Sequence, residues 1–194
     1  MTIVASPQAG APSATPGPLS RDFIWKDEAA CAVLAADLAR HIQGDLLRGD
    51  SLYIELHGTL GAGKTTFTRH LLRALGVQGR IKSPSYAVVE PHTLPGLDIH
   101  HFDFYRFNDP QEWEDAGFRD LFAAPGLKLA EWPEKAEGLL PAPDLRIHIE
   151  AATSDAQGSE PRRVRIQAMS PSGMHALTRL ERTPDASAGA PVHG

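Results

Sequence analysis

One segment constrains this chain more than any other: Gly58-Thr-Leu-Gly-Ala-Gly63-Lys64-Thr65. Its spacing is that of a phosphate-binding loop, Gly-x4-Gly-Lys-Thr. Glycines let a backbone curl until several N–H groups converge on phosphate oxygens. The helix that follows such a loop adds its positive N-terminal end. The loop works only between a strand and a helix, so its flanks decide whether the match has meaning. Upstream, Leu52, Ile54 and Leu56 alternate with Tyr53, Glu55 and His57, which is strand periodicity. Downstream, Phe67, Leu71 and Leu75 share one helical face and Gly76 supplies a stop. The segment thus predicts a strand–loop–helix unit built to grip phosphate.

The rest of the chain supplies elements for that unit to pack against. Asp27 is placed to cap a helix bearing Cys31, Leu34, Leu38 and Ile42. Two extended runs, 86–90 and 98–105, flank Leu94-Pro-Gly96 and predict a hairpin. Asp109-Pro-Gln-Glu112 has the marks of a helix start: a capping Asp, then Pro, then Glu three residues after the cap. Residues 127–130 form a short apolar run ending at Glu131. Leu145, Ile147 and Ile149 alternate, as do Val164, Ile166 and Ala168. Ser170-Pro-Ser-Gly173 reads as a turn joining strands near 163–169 and 174–180. The pattern is α/β: a P-loop nucleotide-binding fold with a mixed β-sheet flanked by helices. One domain is expected over 22–182. Residues 1–21 and 183–194, poor in apolar bulk, are expected to be disordered tails.

The formal net charge of −5 argues against nucleic acid as the main direct ligand, because phosphate contacts demand a basic surface. The single cysteine, Cys31, cannot close an internal disulfide and reads as a buried small hydrophobe. No apolar run approaches the ~18 residues of a membrane span, and the start lacks a secretory pattern. These features predict a cytoplasmic protein with no membrane partner.

The candidate binding residues are Gly58, Thr59, Leu60, Gly61, Ala62, Gly63, Lys64, Thr65 and Thr66. In such loops the lysine reaches the β- and γ-phosphates and the threonine hydroxyl ligates Mg²⁺. ATP and Mg²⁺ are therefore the expected ligands. An acidic partner should stand at the end of a neighbouring strand, and two candidates exist: Glu131 and Asp103. Both are candidates for metal binding with Thr65, and both, with Lys64, for catalysis. The alternatives are that Asp103 pairs with Arg106 and that Glu131 pairs with Lys128 or Lys135. Ser83-Pro-Ser-Tyr86 offers hydroxyls, that of Ser85 among them, one of which could sense the γ-phosphate, or the segment could simply be a Ser-Pro turn. His100 and His101 adjoin Asp103, but neighbours on a strand face opposite ways and would not chelate one zinc ion. Trp113 and Trp132 read as packing or partner-contact residues. Adenine contacts are hardest to place; the start of the first helix, Trp25 to Glu28, is the candidate.

Taken together, these segments resemble the TsaE family, the ATPase of bacterial tRNA threonylcarbamoyladenosine biosynthesis. The resemblance rests on Leu60-Gly-Ala-Gly-Lys-Thr-Thr-Phe67, Ser83-Pro-Ser-Tyr86, His101-Phe-Asp-Phe-Tyr-Arg106, Asp109-Pro with Glu112 and Gly117, and Glu131-Trp-Pro-Glu134. It covers about residues 25–180. It implies work with the partners TsaB and TsaD, and ATP hydrolysis needed when TsaD modifies adenosine 37 of tRNAs reading codons that begin with A. It implies that tRNA is held mainly by the partners. It also implies nucleotide or metal roles for Lys64, Thr65, Asp103 and Glu131. Ser85 stands where the family usually has Thr, and Trp113 where Leu is usual.

Three other functions share parts of this pattern. A small-molecule kinase would need an acceptor pocket and an Arg-bearing lid, and no Arg-rich insertion follows 109. A GTP switch would carry Asn-Lys-x-Asp, which is missing from the sequence. A scaffold that binds nucleotide without hydrolysing it is separated only by a turnover assay.

Overall fold

A computed structural model describes residues 19–84, 87–108, 110–152 and 160–180. The two tails and residues 85, 86 and 109, on which sequence readings also fall, lie outside the described residues.

Among those residues, seven strands form one sheet in the order β1-β7-β6-β2-β5-β4-β3. They are β1 (Ser20–Trp25), β2 (Ser51–His57), β3 (Val89–Leu94), β4 (Leu97–Asp103), β5 (Gly126–Glu131), β6 (Leu145–Ala151) and β7 (Arg162–Ala168). β2, β4, β5 and β6 are mutually parallel. Antiparallel strands close both sides: β3 on β4, and β7 then β1 beyond β6. The fold is thus α/β with a mixed sheet, as the periodicities implied.

Helices α1 (Glu28–Leu47), α2 (Lys64–Leu75) and α5 (Pro171–Arg179) share one large aliphatic core with the sheet. Leu52, Ile54 and Leu56 face this core. Tyr53 belongs to a second, aromatic cluster with Phe102, Phe104, Trp113 and Phe118, under α3 (Pro110–Asp115) and α4 (Phe118–Ala123). β2 is therefore covered on both sides, as central parallel strands are. The expected cap of α1 is present: the Asp27 side chain accepts from the Ala30 N–H at 2.8 Å. Gly76 ends α2 in the left-handed region, at φ 110°.

Three sequence readings need correction. Residues 174–180 are not a strand; they belong largely to α5. Ser170 is its N-cap, accepting from the Gly173 N–H at 3.1 Å, and Pro171 follows at the first turn. Gly173, Ala176, Leu177 and Leu180 are buried, a helical spacing that the reading of Ser170–Gly173 as a turn concealed. The folded region begins earlier than 22, because β1 starts at Ser20. This edge strand buries only Phe23 and Trp25, too little alternation to stand out. β3 begins at Val89, because Val88 adopts φ 61° and breaks the extended run. No helix among the described residues is long and apolar enough to cross a membrane.

Candidate active site

β2 leads straight into the phosphate-binding loop, and α2 begins at Lys64. The loop geometry explains its glycines at two positions. Gly58 has φ 144°, and a Cβ there would run into the Ile149 carbonyl oxygen of β6. Gly63 caps α2 at φ 114°, a conformation L side chains rarely adopt. The Ala62 N–H bonds the Thr59 carbonyl at 3.1 Å and closes the turn.

Lys64 is buried and donates to the carbonyls of Gly58 at 2.6 Å and Thr59 at 3.0 Å. Its ammonium also lies 3.6 Å from the centroid of the Trp132 ring, a cation–π contact. Burial lowers its pKa, while Glu131, Glu134 and Asp103 oppose that shift. Three carboxylates thus support the lysine charge where an anionic ligand would meet it.

The two acidic candidates stand opposite each other at the carboxyl ends of β4 and β5, where Asp103 pairs with Glu131 in register. Ligands of open α/β sheets bind at this edge. Glu131 is buried and accepts from the Thr65 hydroxyl at 2.7 Å through Oε2. Its Oε1 lies 2.9 Å from Nε2 of His101, which is fully buried. Lys128 does not pair with Glu131; it donates to the Ala124 and Gly126 carbonyls. Asp103 accepts from the Ser83 hydroxyl and from the Tyr105 N–H at 3.0 Å. The Phe104 N–H donates to the Glu131 carbonyl at 3.0 Å, tying the two strand ends together.

These groups line a cleft of about 380 Å³. Its lining takes in Leu60 to Thr66 with Ser83, Asp103, Tyr105, Arg106, Glu131 and Trp132. Trp132 sits at φ 57°, an uncommon conformation for a bulky residue, with its ring against Tyr105 at 5.0 Å. Strain of this kind concentrates at ligand clamps. The donor set suits Mg²⁺, a hard cation that takes oxygen ligands and is usually held by one or two carboxylates plus substrate phosphates. No cluster of three or more His, Cys, Asp or Glu side chains among the described residues makes a metal cage of its own.

The structure therefore brings together the loop, Thr65, Asp103 and Glu131. Ser85 lies outside the described residues. Trp25, in the segment considered for adenine, is buried and stacks on Phe67 at 5.7 Å beneath the loop, where it packs α2 rather than lining the cleft. Sequence reasoning missed two contributors: His101, and Arg162, whose Nε donates to the Ala62 carbonyl at 3.3 Å. His101 was within reach, because residues two apart on a strand share a face and Asp103 was already singled out.

Comparison with known proteins follows the same lines. The family model described as "Threonylcarbamoyl adenosine biosynthesis protein TsaE" matches residues 25–162. The protein named tRNA threonylcarbamoyladenosine biosynthesis protein TsaE from Haemophilus influenzae is 46% identical over 100 residues, 52% of this chain. Its counterpart of the same name from Bacillus subtilis is 38% identical over 107 residues, 55% of this chain. The chain spans 63% and 65% of the lengths of these two relatives, just under two thirds. Among solved structures, the crystal structure of YdiB from Bacillus subtilis superposes with a TM-score of 0.65 at 22% identity. That match covers 86% of this chain and 97% of YdiB. At that identity the likeness speaks for the fold.

Proposed function

The chain belongs to the TsaE family, and from that premise we propose that it is a Mg²⁺-dependent ATPase acting in threonylcarbamoylation of adenosine 37 of tRNA. It works with homologues of TsaB and TsaD, on tRNAs that read codons beginning with A. The tRNA is held mainly by those partners, consistent with the net charge of −5 on this chain.

One observation carries the catalytic part of the reading. A buried carboxylate, Glu131, is bonded to the hydroxyl of the phosphate-loop threonine, Thr65, at the ligand-binding edge of the sheet. The loop amides and Lys64 hold the phosphates. Thr65, Glu131 and Asp103 are the residues that would hold Mg²⁺. The bound ion would neutralise charge on the β- and γ-phosphate oxygens. Glu131 stands where a carboxylate can orient the attacking water, and Asp103 is fixed beside it by Ser83 and Tyr105. The burial of Lys64, Asp103 and Glu131 strengthens the charge interactions among them.

The test is ATP turnover by the purified chain, alone and with its TsaB and TsaD homologues, beside tRNA modification by the complete set. Slow turnover alone and a changed rate with partners are expected. Full-speed hydrolysis that ignores the partners, or modification that proceeds without this chain, would sink the reading.

A further inference from the structure

We propose that His101 is a positioning residue for Glu131: it holds one carboxylate oxygen so that the other stays aimed at Thr65 and the cleft. The proposal rests on the reading of Glu131 as an active-site carboxylate and adds the group that keeps it in place.

His101 lies on β4 two residues before Asp103, opposite Leu129 of β5. Its side chain is 0% exposed, that of Glu131 is 2% exposed, and Nε2 lies 2.9 Å from Oε1. A carboxylate only accepts, so Nε2 carries the hydrogen and donates it. The other ring nitrogen, Nδ1, is buried with no hydrogen-bond partner among the described residues. A stranded polar atom is a cost that an aliphatic side chain of similar size would avoid. The bond to Glu131 is what the imidazole offers in return.

The need for this second tether follows from the chemistry of the first. Oε2 of Glu131 is bonded to the Thr65 hydroxyl, the group the phosphate-loop reading assigns to Mg²⁺. Were that hydroxyl engaged by the metal, the Thr65 bond would no longer orient the carboxylate. His101 approaches the opposite oxygen and from a different strand, so its bond does not depend on Thr65. The Phe104 N–H fixes the Glu131 backbone through the carbonyl oxygen, leaving the side-chain torsions to His101. Functional groups left loose by as little as an ångström lose much of their effect.

The test uses the full chain with His101→Leu, His101→Gln and His101→Asn, each also combined with Glu131→Gln. The glutamine amide nitrogen can reach the place of Nε2, whereas the asparagine amide falls short. Melting temperature, ATP affinity by calorimetry with and without Mg²⁺, and kcat and KM with the partner proteins are measured on each. The Leu and Asn variants are expected to lose about 10- to 100-fold in kcat, with KM within about threefold, as when a partner behind an active group is removed. They should also show a weaker gain in ATP affinity on adding Mg²⁺. The Gln variant should recover most of both. In the Glu131→Gln background, His101→Leu should cost nothing further, since the group it positions is already disabled. An unchanged kcat in a folded Leu variant overturns the proposal, as do equal losses in Gln and Asn, or losses that add to those of Glu131→Gln. If the Leu variant fails to fold, the Gln–Asn contrast decides. Unimpaired turnover in Glu131→Gln alone removes the active-site role of Glu131 and this proposal with it. A loss there without one in the His101 variants removes only the positioning role.

Discussion

At the centre of the sheet, β2, β5 and β4 run parallel and end side by side: β2 opens into the phosphate loop, β5 ends on Glu131 and β4 on Asp103. In the flank, β6, β7 and β1 meander antiparallel, and their outward side chains form surface pairs such as Arg165 with Asp22. Parallel strands deliver their carboxyl ends to one edge, so three segments distant in sequence can converge on one ligand. Antiparallel strands alternate direction and deliver no such convergence. The flank instead braces the centre. β6 sets its Ile149 carbonyl against Gly58, β7 sends Arg162 to Ala62, and β1 places Trp25 beneath the loop. Changes in the centre should therefore strike ligand binding and turnover, and changes in the flank should strike stability.

The largest expected effect is that of Lys64→Ala. Loss of a charge-assisted bond of about 1.5–3 kcal/mol corresponds to a roughly 10- to 150-fold weaker affinity for ATP. Calorimetry with Mg²⁺ checks this, and the melting temperature without ligand should fall little, because removing Lys64 also removes a partly desolvated charge. Wild-type affinity would break the assignment of the loop.

Paired glycine substitutions sharpen the contrast. In Gly58→Ala the new Cβ meets the Ile149 carbonyl, and in Gly173→Ala it meets the Asp144 carbonyl under α5. Each should cost about 1–3 kcal/mol of stability, as overpacking does. Only Gly58→Ala should also weaken ATP binding. If Gly173→Ala loses ATP affinity to the same degree at a temperature where it is folded, centre and flank are not separable.

A smaller effect belongs to the α5 cap. Ser170→Ala removes the bond to the Gly173 N–H and should cost about 1 kcal/mol in chemical denaturation. ATP turnover should stay at the wild-type value.

The smallest is the surface pair on the flank. The hydrogen bond and charge of Arg165 lower the pKa of Asp22 below its ordinary value. A carboxylate with a depressed folded-state pKa adds stability above its unfolded pKa and loses it as pH falls through the folded one. Asp22→Asn should therefore melt slightly lower than wild type at pH 7. The difference should vanish at pH values below the depressed pKa and shrink in high salt. A gap that widens on acidification would contradict the assigned pair.

The same division explains what was legible in the sequence. The strand–loop–helix unit and the ends of β4 and β5 at Asp103 and Glu131 were readable because periodicity and the glycine spacing mark where strands stop. The Asp27 cap and the Leu52, Ile54, Leu56 alternation were readable because one face of each element meets the core. β1 was missed, since an edge strand with two buried residues looks like a linker. α5 was misread because Ser170-Pro-Ser-Gly173 fits a turn and a helix start equally well, and only packing of Ala176 and Leu177 selects between them. Strand periodicity puts His101 on the face of Asp103, but its bond to Glu131, 30 residues away, depends on the β4–β5 register, which the sequence does not print.

The central claim, that Glu131 serves the chemistry while the loop and Lys64 grip the phosphates, is tested most directly by Glu131→Gln, which keeps the shape and removes the charge. Melting temperature, ATP affinity and turnover with partner proteins should be measured on one preparation. The account predicts turnover reduced by at least about tenfold, with ATP affinity reduced far less. A lowered melting temperature with a normal turnover rate in the folded fraction would contradict it.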